Sequence, residues 1–183
     1  MAVTLMVRRM IESGTMIEYL QQILTGQFKA ALCMLNQCVA ACPPEHWEGK
    51  IANDRFRHVS YHTLFFTDLY LSPGEQAFTL RDLHARGGDE RGPTLSPGLS
   101  REETLGYLAI CRRKMIETFA AETPQSLQGP SGFPWLKFSR GEAHLYNLRH
   151  VQHHTGQLSA YLRRVEPALS DRKALPWVRT GWR

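Results

Sequence analysis

The chain has 183 residues, 43% of them hydrophobic, and a formal net charge of +5. That length buries one substantial core, so a single domain is expected. No apolar run approaches the roughly 18 residues a membrane-spanning helix needs, which excludes a helical membrane protein and favours a soluble one. Part of the basic excess falls in Arg163, Arg164, Arg172, Lys173, Arg179 and Arg183. Without aromatic and basic interleaving or a nucleic-acid motif, this reads as a solvated face, and a nucleic-acid partner is not expected.

In the opening stretch, MAVTLMVRRMIESGTMIEYL, Arg8, Arg9 and Glu12 break the apolar run, and no small-residue cleavage site follows. It reads as a cytosolic start, hence a cytoplasmic protein, with residues 1–15 as an N-terminal extension. A first helix is expected from about Thr15 to Ala41, where Ile17, Leu20, Leu24, Phe28, Ala31, Leu35 and Cys38 recur at spacings of three and four. The two prolines of CPPEH end it. Cys33, Cys38, Cys42 and Cys111 form no CxxC pair and read as buried free thiols.

A second helix is expected from about Arg55 to Leu71, stopped by SPGE. The irregular stretch 72–99 has the length of a functional lid or mobile segment. LSREE then supplies a capping box, with Ser100 as N-cap and Glu103 three positions on, opening a third helix to about Ala121. A second loop leads to a fourth helix from about Gly141 to Val165. No strand pattern appears beyond a short extended piece at WLKF. The class is all-α, and four amphipathic segments with long connecting loops predict a four-helix bundle over residues 16–166, followed by a basic C-terminal tail, 167–183.

Bundles of this kind site metals on inward-facing side chains. On the fourth helix, Asn147, His150, His154, Gln157 and Tyr161 form a polar line beside the apolar stripe Leu148, Val151, Thr155, Leu158 and Leu162. Buried polar groups need partners, and histidines at i and i+4 point the same way and can share one Zn²⁺. His153 is about 100° round the helix from His154 and should not join them. A third imidazole is available on the second helix, in RHVSYHTLFF. His62 lies deeper in the apolar pattern and is the preferred ligand. His58 is then a pocket or supporting residue, although the two roles can be reversed or shared.

A histidine on the second helix followed by Tyr70 and Leu71, with a later NxxHxxxHxGQL carried by Asn147, His150, His154, Gly156, Gln157 and Leu158, resembles the DinB/YfiT-like superfamily. The resemblance runs from about Met16 to Val165. It implies an up-down-down-up four-helix bundle, often a homodimer, binding a divalent metal ion, zinc or nickel, through His62, His150 and His154. It also implies small-molecule substrates, including low-molecular-weight thiols handled by transferases and isomerases.

Three histidine ligands leave a coordination position open, which is what a catalytic site needs. The expected activity is that of a metal-dependent hydrolase or thiol S-transferase, the ion activating a water or thiol. Alternatives are a non-catalytic, dimeric metal-binding module and a stress-related protein that associates with nucleic acid. Asn147 and Gln157 stand where they can hydrogen-bond the ligand imidazoles, or pack between helices. Tyr61, Phe65, Phe66 and Trp135 are candidates for the pocket lining, or for core. Asp68 reads as a surface or capping carboxylate and Glu142 as a helix-start carboxylate, so no general base is assigned.

Overall fold

The computed structural model describes residues 15–88, 98–171 and 173–182. The expected extension before Thr15 and the stretch 89–97 of the long loop lie outside the described residues. Helix α1 spans Thr15–Ala41 and α2 Phe56–Leu71. After them come the single turn α3 at His84–Gly87, then α4 at Arg101–Ala121, the short α5 at Pro124–Gln128 and α6 at Arg140–Val165. No helix among the described residues is long and apolar enough to cross a membrane.

Local chemistry explains the starts of these helices. Ser100 with Glu103, Thr123 with Ser126 and Ser139 with Glu142 each form a reciprocal capping box. Glu142 is therefore engaged in capping α6. Between α1 and α2 lies a hairpin whose strands, β1 at Lys50–Ile51 and β2 at Asp54–Arg55, pair antiparallel. Strands of two residues are too short to show alternation, which is why no sequence pattern announces them.

Cross-helix contacts fix the directions of the four long helices. Gln21, near the start of α1, donates to the carbonyl of Ala120 at the end of α4, while Arg101 at the start of α4 donates to Cys42 just past α1. Those two helices are antiparallel. Thr118 reaches Leu71 and Cys111 reaches Leu64, so α4 runs parallel to α2. Phe56 packs on Tyr161 and Arg140 bonds the Leu71 and Ser72 carbonyls, so α6 runs antiparallel to α2. The bundle is up-down-down-up, with the tilted and edge-on aromatic packing of Phe28, Phe56, Phe65 and Phe119 at its centre.

Two buried polar clusters cross this core. Asp68 is fully buried, correcting the expectation of a surface or capping carboxylate. It faces α4, where it accepts hydrogen bonds from Tyr107 and Lys114, and it pairs with Arg81 from the following loop. His84 in turn bonds the Tyr107 hydroxyl at 2.9 Å, anchoring α3. In the second cluster, the Glu122 carboxylate accepts from Arg140 at 2.8 Å and His144 at 2.7 Å. Burial opposes its ionisation, but His144, Ser126 and the Arg140 charge prevail and hold it at about 2.

Beyond α6, the basic segment is not wholly a solvated face. Arg163 donates to the carbonyls of Ser170, Asp171 and Leu175, the side chains of Leu175 and Val178 are buried, and Arg112 stacks 4.3 Å from the Trp182 ring centre. Arg164, Lys173 and Arg179 remain exposed, while Arg172 and Arg183 lie outside the described residues. All four cysteines are buried free thiols. Burial pushes Cys38 and Cys42 up to about 12, so both stay protonated and unreactive.

Replacing one member of a buried ion cluster leaves its partners charged and unpaired. Glu122→Ala is expected to lower the unfolding free energy by about 3–5 kcal/mol, read by equilibrium urea unfolding followed by circular dichroism.

Candidate metal centre

The antiparallel packing of α2 on α6 sets His62 opposite His150 and His154. One ring nitrogen from each of the three lies within 4.8 Å of the other two. The ring centres of His62 are 5.3 Å from His150 and 4.9 Å from His154, and those of His150 and His154 are 4.5 Å apart. Each of the three side chains is half-buried.

His150 carries the clearest signal. Neither of its ring nitrogens has a hydrogen-bond partner, although both are buried from water. Leaving such groups unpaired is costly. Burial, reinforced by the neighbouring imidazoles, pushes His150 down to about 3, so it is neutral with a lone pair to offer. His154 is also lowered by burial. Its Nδ1 donates to Oε1 of Gln157 at 2.8 Å, which selects the tautomer that leaves the Nε2 lone pair free. Three imidazole nitrogens within reach of one ion fit a divalent cation.

Behind the histidines, Phe66 packs 4.8 Å from the His62 ring and 5.8 Å from His150, with Tyr70 beside them. In front of His62 and His154 opens a cavity of about 190 Å³. Its walls include Ile51, Asn53 and Asp54 of the hairpin, His58 and Val59 of α2, and Gln157 of α6.

The other residues singled out from the sequence fall as follows. His58 lines this cavity but stands apart from the group of three, its ring centre 6.3 Å from His62 and its Nε2 3.6 Å from Asp54. Asn147 is buried one turn before His150 and donates to the Thr67 carbonyl at 3.2 Å, so it ties α6 to α2 instead of steering an imidazole. His153 is exposed and outside the group.

Tyr61 does not line the cavity. It is buried on the opposite side of α2, against Tyr107 and His84, with its hydroxyl donating to the Gly88 carbonyl. Phe65 turns the same way, onto Phe78 and His84. Each sits one residue before a member of the His62–Phe66 face, and the 100° step of the helix sends both round towards α4. Trp135 is largely exposed and packs on Phe133.

Asp54, Ile51 and Asn53 escaped the sequence reading because the hairpin did. The available signal was the spacing of Asp54 and His58, four residues apart at the start of α2.

The depressed His150 has a consequence for acid stability. Its folded value of about 3 lies below the ordinary imidazole value of about 6.5, so below that ordinary value the unfolded chain binds a proton that the folded one refuses. Metal-free protein is therefore expected to lose stability as pH falls from about 6.5 towards 3. His150→Leu should lose less between neutral pH and about pH 5, measured by urea unfolding of both proteins at the two values.

Comparison with known proteins gives one finding. Neither the curated proteins nor the solved structures supply a match. A family model described as the DinB superfamily matches residues 54–158, more than half of the chain, from β2 through most of α6 with all three clustered histidines inside it. The chain belongs to the DinB superfamily.

Proposed function

We propose that the protein is a divalent-metal-dependent enzyme in which His62, His150 and His154 hold one zinc or nickel ion. The observation that carries this reading is His150, whose two buried nitrogens have no hydrogen-bond partner among the described residues. Imidazole suits both ions, so the donor set favours neither. Held there, the ion would lower the pKa of a bound water or low-molecular-weight thiol, making it a nucleophile at neutral pH for hydrolysis or thiol transfer.

The chain's own residues supply orientation and access. Gln157 fixes the His154 tautomer, and the rings of Phe66 and Tyr70 back the histidines on their buried side. Three protein donors leave a coordination position for a ligand, and the cavity in front of His62 and His154 gives a small molecule its approach. Asp68 and Glu142 take no part as bases. One is locked in the cluster with Lys114 and Tyr107, and the other caps α6.

Metal content measured by inductively coupled plasma mass spectrometry on untagged protein tests the reading. About one ion per chain is expected in the wild type, and a loss of stoichiometric binding in His62→Ala, His150→Ala and His154→Ala with the helical circular dichroism retained. A wild type that takes up neither zinc nor nickel on reconstitution would sink it. Turnover of electrophilic substrates with water or thiol, present in metal-loaded protein and absent after chelation, would establish the enzyme.

A further inference from the structure

The cavity beside His62 and His154 is electrostatically one-sided. Among the described residues, no Lys or Arg lines it, and its one carboxylate is Asp54. The basic excess of this chain, net charge +5, is carried elsewhere among the described residues. The two arginines nearest in sequence are turned away, Arg55 lying 3.0 Å and Arg57 2.6 Å from Glu48 outside the cavity. The remaining walls are apolar, from Ile51, Ala52 and Val59, or carry the amides of Asn53 and Gln157 and the imidazole of His58, whose Nε2 lies 3.6 Å from Asp54.

We infer that the cavity selects a small thiol bearing a protonated amine, with the Asp54 carboxylate as the contact that determines specificity. The inference rests on the thiol reading of the metal centre given above. A substrate whose sulfur lies at the three histidines extends its other end into this cavity, where it meets the Asp54 carboxylate and, among the described residues, no Lys or Arg. An ammonium group is stabilised there, a carboxylate is repelled, and a hydroxyl is indifferent. The Asp54 side chain is 52% exposed, so the discrimination is modest in size and weakens with salt.

The test uses cobalt-loaded protein, in which a thiolate on the metal is seen directly as a sulfur-to-cobalt absorption band. Cysteamine, 2-mercaptoethanol and mercaptoacetate are titrated at mildly alkaline pH into wild type, Asp54→Asn and Asp54→Lys. Comparing each thiol between proteins cancels the intrinsic acidity of the thiols. Asp54→Asn is expected to weaken cysteamine about fivefold, leave 2-mercaptoethanol unchanged and strengthen mercaptoacetate, and Asp54→Lys to carry the same trend further. An equal effect on all three thiols, or none, would overturn the role of Asp54 and leave the thiol reading standing. A cobalt-loaded protein in which none of the three thiols produces the band would overturn both.

Discussion

The antiparallel register of α2 against α6 is the constraint on which the candidate site depends. It is pinned at three levels: Phe56 against Tyr161 near one end, the Asn147 amide on the Thr67 carbonyl in the middle, and Arg140 on the Leu71 and Ser72 carbonyls at the other. A slip of one helical turn moves side chains by about 5.4 Å, more than the whole spread of the histidine nitrogens. The buried hydrogen bonds make such a slip costly, because it would strand an amide and a guanidinium in the core.

Buried polar groups divide the labour within the bundle. The Asp68 and Glu122 carboxylates are satisfied internally: each meets cations and hydroxyl or imidazole donors, and each cluster ties a loop or helix end to α2, α4 or α6. The histidine group is different in kind. His154 is supported through Gln157, but His150 has no partner on either nitrogen. Natural cores rarely leave even one such atom unpaired, and among the described residues His150 is the one side chain with two of them in that state.

Charge is arranged as selectively as polarity. Glu48 gathers Arg55 and Arg57, and Arg163 is spent on carbonyls of the C-terminal segment. The cavity beside the histidines is left with a single carboxylate on a short hairpin. The hairpin and α2 together give the histidines an aromatic back, built from Phe66 and Tyr70, and a front open to the cavity. That asymmetry is what separates a site with an approach path from a closed structural one.

The sequence by itself determined the four long helices, since apolar periodicity and the Ser100 and Ser139 caps are local signals. It also determined that His150 and His154 share a face, because their spacing alone fixes that. It left His58 and His62 unresolved, since both satisfy the same periodicity. It misplaced Asp68 and left Tyr61 and Phe65 between pocket and core, because the side of α2 that meets α4 cannot be read from α2 alone. Only the tertiary structure decided these: the register of α2 on α6 brings His62 and not His58 into the group, α4 buries Asp68, and a hairpin of two-residue strands brings Asp54 to the cavity. Neighbours on one helix follow from the 3.6-residue repeat, whereas neighbours across helices follow from packing that no single segment encodes.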